Sequence, residues 1–330
     1  MRAVIVNQAG DPSVLTVGEW EKPVAGSGQL LVQVKAAGVN PIDTKLRVAP
    51  ERFPVKLPFI PGCDAAGIVI SVGDGVSRFS VGDEVYFSQP GFAAWQGTYA
   101  EYVAVDAALV AHKPKTLSFS QAAAAPLVLI TAWEALHDRA RIQPGQRVLI
   151  QAGAGGVGHV AIQLAKLAGA HVVTTVSNDE KAAVAHKLGA EKVINYTTQD
   201  VVAEVLAWSA GEGVDIVLDT VAGDALQKCF ACVKPYGDVV TILQPGAEFN
   251  WAEARKRNLR FSFELMLSPV MMEWSDAKKR QGEILARCSE LFDGNQLKII
   301  LSRSFPLNDV TLAHQCIEQE HPIGKLIIYI

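Results

Sequence analysis

The run Val148-Leu-Ile-Gln-Ala-Gly-Ala-Gly-Gly-Val-Gly158 constrains this chain more than any other stretch. A short apolar run leads into Gly153-x-Gly155-x-x-Gly158, and Val160, Ile162, Leu164, Ala165 and Leu167 follow at helical spacing. Strand, glycine turn and helix in that order form the unit that lays a dinucleotide pyrophosphate on a helix N-terminus. In such a unit Gly153 permits the tight turn, Gly155 lets the backbone approach the phosphates, and Gly158 lets the helix pack on the strand. The expected phosphate cradle is Gly153, Ala154, Gly155, Gly156, Val157 and Gly158.

The surroundings of that turn set the architecture. A chain of 330 residues exceeds one comfortable hydrophobic core and suggests two domains. Up to about residue 120 the texture is β-rich, with short apolar runs at 4–6, 30–34, 67–72, 84–87 and 100–105 between Gly, Pro and Asp turns. Beyond it, helical runs at 121–136, 159–168, 179–188, 201–209 and 224–233 alternate with strands at 147–151, 171–175, 193–194, 214–218 and 239–243. Ser118 or Ser120 is the expected cap of the first of these helices. Such alternation predicts an α/β domain with a doubly wound parallel sheet covered on both faces. A strand-like run at 260–265, an amphipathic helix at 276–292 and closing strands at 299–301 and 325–329 follow. The dinucleotide domain therefore reads as inserted, with the C-terminal segment returning to the first domain.

Composition narrows the function class. A net charge of −4 gives no electrostatic reason to expect nucleic acid or an anionic membrane as partner. No apolar run reaches the roughly 18 residues of a membrane span, and the N-terminus enters a strand without a long apolar leader. The expectation is a cytoplasmic protein. Five cysteines, scattered and odd in number, do not form a disulfide framework. Cys229-x-x-Cys232 lies in a helical segment without a second Cys or His pair, so buried reduced thiols are expected there.

The strand after the glycine turn speaks to the cofactor. An NAD-specific fold carries a carboxylate near the end of its second strand, where it accepts from the ribose 2′-hydroxyl. Here that strand, 171–177, ends without one. Asp179 and Glu180 fall where the next helix begins, as first-turn acids favoured by its dipole. Ser177 and Lys181 offer a hydroxyl and a cation where a 2′-phosphate would lie. The expected cofactor is NADPH.

With these residues in place the chain resembles the medium-chain dehydrogenase/reductase superfamily, in its zinc-independent quinone oxidoreductase-like branch. The supporting segments are 36–43 (AAGVNPID), 61–67 (PGCDAAG), 81–85 (VGDEV), 97–102 (GTYAEY), 129–136 (LITAWEAL), the glycine turn, 187–190 (KLGA) and 193–196 (VINY). The resemblance implies a GroES-like β-barrel domain over 1–123 and 268–330, with a Rossmann NADPH-binding domain inserted at 124–267. It implies that Ser177, Lys181 and Tyr196 hold the 2′-phosphate and that Asn40 and Thr131 face the nicotinamide and its ribose. Thr220 matches a loop along the cofactor, and Leu243 and Gln244 lie at the end of the next strand, the edge where open α/β sheets bind ligands.

Departures from the family matter as much. Zinc-dependent relatives place Cys where Asn40 stands, His where Cys63 stands and a third ligand near Leu127, so no metal is expected. Residues 88–112, where a structural zinc lobe would sit, contain no Cys. Without a Lewis acid, reduction of an electrophilic small molecule is easier than alcohol oxidation. The expected reaction is hydride transfer from NADPH to a quinone or an α,β-unsaturated carbonyl. Asn40, Asp64 and Thr131 are the candidate catalytic residues, with Asp43 and Cys63 beside them by motif position. Leu46 stands where some quinone reductases carry an aromatic, which keeps an enal or enone open. The alternatives are a zinc-free alcohol or enoyl-thioester reductase, and a cofactor-binding relative without turnover. The pocket walls come from segments without motifs (47–59, 87–96 and 265–274), and the resemblance suggests a homodimer through an edge strand near 260–265.

Overall fold

The computed structural model describes residues 1–92 and 95–330. The chain divides into two compact units, Met1–Ile130 with Leu267–Ile330, and Thr131–Met266. Strands are numbered along the chain.

In the first unit, β1 (Arg2–Val6) and β2 (Leu15–Glu19) form an antiparallel hairpin. A seven-stranded sheet is built from β3 (Gln29–Val39), β4 (Asp64–Val72), β5 (Glu84–Ser88), β6 (Tyr102–Asp106), β7 (Val110–His112), β14 (Leu301–Pro306) and β15 (Lys325–Tyr329). The order is β14-β15-β3-β4-β5-β7, with β6 also on β3. β3 reaches all these partners because it is long: Gln29 to Gln33 pair with β6, and Ala36 to Val39 pair with β15. Leu30, Val32, Val34, Ala65, Val85, Phe87 and Val103 fill the core of this sheet. The return segment packs here through the helix Ser275–Asp293, which buries Gln281, Gly282, Ile284, Leu285, Cys288 and Phe292 at helical spacing. Gly282 is needed there, because a Cβ would run into the carbonyl oxygen of Ala108.

In the second unit β8 (Arg147–Ile150), β9 (His171–Val176), β10 (Lys192–Asn195), β11 (Val214–Asp219), β12 (Val233–Thr241) and β13 (Arg260–Phe263) form a parallel sheet. Its order, β10-β9-β8-β11-β12-β13, reverses direction between β8 and β11, which is the doubly wound arrangement. Leu149, Val173, Ile194, Val217 and Val239 put one fully buried side chain from each of five strands into the core. Strands covered on both faces need such apolar runs.

Two local expectations change. The helix expected over 121–136 is broken into Phe119–Ala123, Pro126–Trp133 and a π turn at Glu134–Arg139. Pro126 has no N–H to donate backward, so it starts a new helix instead of continuing the old one. Ser118 caps the first piece, with Gln121 N–H donating to Ser118 Oγ at 3.3 Å and Ser118 N–H to Gln121 Oε1 at 3.0 Å. The strand expected at 299–301 runs instead from Leu301 to Pro306, where pairing with β15 sets it and its mostly exposed residues carry no apolar signal. Among the described residues, no helix is long and apolar enough to cross a membrane.

Candidate functional site

The glycine turn leaves β8 at the point where the strand order reverses, and the helix Gly156–Leu167 follows it. Gly155 is the extended cap of that helix, and the first-turn amides of Gly156, Val157 and Gly158 precede any intrahelical acceptor. They give this end partial positive charge, suited to an anion. A Cβ on Gly155 would meet Ala152 alone, its carbonyl oxygen at 3.2 Å and its Cβ at 3.9 Å, so this position opens outward. A Cβ on Gly158 would strike the same Ala152 carbonyl and Gly153 Cα, so the helix lies hard against the turn. The tight bend itself falls one residue earlier than the sequence suggested: Ala152, not Gly153, has a positive φ of 56°. Gly153 is required for a different reason, because a Cβ there would collide with Thr174 Oγ1 and Ile162 Cδ1. A phosphate-bearing dinucleotide fits this cradle.

The ends of the neighbouring strands gather the remaining second-unit residues. Ser177 follows β9, and Asn178 caps the next helix by accepting from the Lys181 backbone N–H at 2.9 Å. The Lys181 side chain forms no ion pair with a described residue. Tyr196, exposed, follows β10 and donates its backbone N–H to Val176 O at 3.0 Å, which sets it beside the end of β9. Thr220 Oγ1 donates to Gln151 O at 3.1 Å, tying the end of β11 to the start of the turn. Asp219 shapes the loop after it, accepting from Val221 N–H, Ala222 N–H and Thr241 Oγ1. Thr241 in turn accepts from Leu243 N–H, and Leu243 and Gln244 sit at the carboxyl end of β12. The residues at the end of β9, Val176, Ser177 and Asn178, carry no carboxylate.

A second constellation lies in the first unit, with Asn40, Asp43, Asp64, Tyr99 and Lys325 all buried. Asn40 follows β3 and caps the helix Pro41–Val48, and its backbone N–H donates to Asp43 Oδ2 at 2.8 Å. Tyr99 Oη donates to the same oxygen at 3.1 Å. Asn40 Nδ2 donates to Asp64 Oδ2 at 2.9 Å, and Leu127 N–H donates to Asp64 Oδ1 at 3.0 Å. Lys325 Nζ donates to Val39 O at 3.0 Å and to Asn40 Oδ1. Gly38 lets these elements meet, since a Cβ would hit the Ala123 carbonyl oxygen. Thr131, buried, is the first residue of the second unit, within the helix Pro126–Trp133.

Burial dominates the electrostatics of this knot. It pushes Asp43 up to about 7, against the hydrogen bonds that favour its charged form. It pushes Asp64 up to about 6, with the Lys325 charge and the Asn40 bond pulling the other way. The Lys325 ammonium is drawn down by the same burial and held up by the two carboxyls. Burial and the neighbouring carboxyls raise the Cys63 thiol well above its usual range, so it is not a ready thiolate. Asp43 Oδ1 has no hydrogen-bond partner. A single ammonium facing two carboxyls is neutralised when one of them is protonated, and Asp43 holds its proton to the higher pH.

Lys325 and Tyr99 were missed by sequence reasoning. A lone lysine opening the apolar run Lys325-Leu-Ile-Ile-Tyr329, directly after Gly324, was the available signal. The helix Pro41–Val48 was likewise legible as Asn cap, Pro at the first position and Asp at the third. All five cysteines are buried and free. A hydrogen bond with Cys232, together with burial, pushes the Cys229 thiol up. Among the described residues no group of three His, Cys, Asp or Glu side chains could hold a metal. Of the segment 87–96, Ala93 and Ala94 lie outside the described residues.

Comparison with known proteins agrees with this fold. Residues 26–115 fit the alcohol dehydrogenase GroES-like domain, and residues 188–328 fit the family described as zinc-binding dehydrogenase. The chain is 31% identical to a 2-haloacrylate reductase of Burkholderia sp. over 99% of its own length and 98% of that protein's. The chain belongs to the medium-chain dehydrogenase/reductase superfamily, in its quinone oxidoreductase-like branch. Among solved structures of that superfamily, an alcohol dehydrogenase superfamily protein from Novosphingobium aromaticivorans superimposes with a TM-score of 0.93 at 36% identity, covering 100% of this chain and 99% of that one. The Escherichia coli quinone oxidoreductase complexed with NADPH superimposes with a TM-score of 0.89 at 28% identity, covering 100% of both chains. Like its relatives, the chain is an oxidoreductase with a GroES-like unit and a Rossmann unit.

Proposed function

We propose that this oxidoreductase passes a hydride from NADPH to a small, already electrophilic acceptor, a quinone or an α,β-unsaturated carbonyl, without a metal. The observation that carries the reading is the side-chain set Asn40, Cys63 and Leu127, standing where zinc-dependent relatives hold ligands, with the Lys325 ammonium on Asn40. A catalytic zinc needs three protein ligands, and leucine has no lone pair to give. Without a Lewis acid nothing steadies an alkoxide, whereas a quinone or enone spreads the incoming charge onto its own oxygen. Bound NADPH supplies the hydride.

The chain's residues position and shield the reactants. The cradle at Gly153, Ala154, Gly155, Gly156, Val157 and Gly158 takes the pyrophosphate. Ser177, Lys181 and Tyr196 take the 2′-phosphate, and Thr220, Leu243 and Gln244 flank the rest of the cofactor. We assign Asn40 and Thr131 to the reacting end, where Asn40 offers its second Nδ2–H to the acceptor oxygen as charge grows there. Asp64 holds the other Nδ2–H. The relatives support the class of acceptor: one is a quinone oxidoreductase solved with NADPH, and another reduces a 2-haloacrylate, an activated alkene. We also propose a homodimer through the free edge of β13, where Phe263 is exposed.

The deciding experiment follows NADPH and NADH oxidation against quinones, enals, enones, enoyl thioesters and simple ketones, with zinc measured in the same sample. Turnover of a quinone or enone by metal-free protein, with NADPH preferred by about tenfold or more, is expected from a charge-assisted 2′-phosphate contact. Activity confined to simple ketones and proportional to bound zinc would overturn the reading. Light scattering of the purified protein checks the dimer, and a monomer refutes it.

A further inference from the structure

Lys325 is an unusual ammonium. It is 3% exposed, yet among the described residues it makes no ion pair with a carboxylate; its hydrogen bonds go to the Val39 carbonyl and to Asn40 Oδ1. A buried cation is costly, and a lysine kept only for stability is expected to pair directly with the nearest carboxylate. Asp64 is that carboxylate, but the Asn40 amide stands between the two charges, with Oδ1 on the ammonium and Nδ2 donating to Asp64 Oδ2 at 2.9 Å. Strand register brings this about. Leu326 pairs with Val39 across the antiparallel β15 and β3, so Lys325 falls opposite Asn40, just past the end of β3.

The consequence is for the amide. An asparagine χ2 is normally broad, and its two faces differ little in energy. Here the flipped amide would set NH2 against an ammonium and a carbonyl against a carboxylate, two repulsions in a buried site. The orientation is thereby locked, and one Nδ2–H is left without a described partner. A cation on the carbonyl oxygen also draws electron density from the nitrogen, which makes the remaining N–H a stronger donor.

We propose that Lys325 is a positioning residue for hydride transfer, locking the Asn40 amide so that its remaining N–H meets the acceptor oxygen. This rests on the assignment of Asn40 to the reacting end in the proposed function.

The test has two arms, and the first needs no substrate. In protein labelled with [15N]asparagine, the Asn40 side-chain amide is assigned by its loss in Asn40→Ala. It is expected to exchange slowly in the wild type, to lose protection in Lys325→Met, and to stay protected in Lys325→Gln, which keeps a donor for Oδ1. In the second arm NADPH oxidation is measured with 1,4-naphthoquinone and with the best acceptor of the panel. Loss of a positioned donor costs about tenfold or more in kcat, so Lys325→Met is expected to fall by that much while the KM for NADPH holds. Lys325→Gln keeps most of the rate, and Asn40→Ala/Lys325→Met is no slower than Asn40→Ala alone.

Additive losses in the double variant, or an Asn40 amide as protected in Lys325→Met as in the wild type, overturn the proposal. An Asn40→Ala variant with full kcat instead overturns the assignment of Asn40, so the two failures separate. If thermal melting shows that Lys325→Met does not fold, the decision passes to Lys325→Gln. Loss of either its Asn40 protection or its rate then refutes the role.

Discussion

Replacing Asp43 by Asn should remove a loss of stability that the wild type suffers as pH rises. Asp43 is fully buried, bonded through Oδ2 to Asn40 N–H and Tyr99 Oη, with the Cys63 thiol also beside its carboxyl and no N–H or O–H donor on Oδ1. In the unfolded chain its carboxyl titrates near 3.8, while burial in the fold pushes it up to about 7. The folded protein therefore binds this proton more tightly than the unfolded chain does. The stability this gives is fully present below about 3.8 and is lost as pH rises through about 7. Raising pH from about 4.5 to about 8 should cost the wild type about 3 kcal/mol through this one group, taking 1.36 kcal/mol for each pH unit spent below the folded value. Asn keeps an oxygen for the two donors and places an uncharged NH2 at the orphaned position, so Asp43→Asn should lack this loss. Burial also lowers His314, to about 3, and Asp64 is raised to about 6, so only the difference between the two proteins isolates Asp43. The assay is urea titration at each pH, read by hydrogen exchange in peptides from β3 and β4, which report the unit that holds Asp43. Parallel curves for the two proteins, or a wild type that gains on the variant as pH rises, would refute the reasoning.

Three further outcomes follow from particular contacts. Gly158→Ala drives a Cβ into the Ala152 carbonyl and Gly153 Cα; it should cost about 1–3 kcal/mol of stability and weaken NADPH binding, read by melting and by nucleotide fluorescence. Unchanged values for both would mean that the close approach of helix and turn does not matter. Lys181→Ala should lower NADPH affinity by about tenfold and leave NADH binding alone, as expected for a lost charge-assisted bond to the 2′-phosphate; equal losses for both nucleotides would remove Lys181 from that role. Arg47→Met deletes a buried guanidinium that binds Gly10 O at 3.0 Å, His314 Nδ1 at 3.0 Å and Glu318 at 2.6 Å. Because it leaves those groups unpaired it should destabilise by about 3 kcal/mol, and a loss under about 1 kcal/mol in urea would show that water replaces the guanidinium.

The second unit was the more legible half. Its strands and helices announce themselves by alternating apolar runs, and the glycine spacing places the turn between β8 and the helix Gly156–Leu167 within a few residues. Even there the detail differed, since Ala152 carries the left-handed bend and Gly153 is demanded by Thr174 and Ile162. Those two side chains are brought to it by the next strand and the next helix, so local spacing could not foresee the reason. The first unit read poorly in places where short elements carry polar residues. The strand Leu301–Pro306 is one such case, and the helix Pro41–Val48, whose capping residues were read only as a motif, is another.

Residues close together in the chain encode the doubly wound sheet and the glycine turn, and single positions carry the want of an acid at the end of β9 and the identities of Asn40, Cys63 and Leu127. Periodicity and turn chemistry are local, and a residue's identity is read at one position. Only the fold gives Asn40 its partners. Its partners Asp64 and Lys325 lie 24 and 285 residues away, and they meet only because β3 pairs with β4 on one side and β15 on the other. Charge is long-ranged in a buried site, but nothing along the chain records which charges burial will bring together.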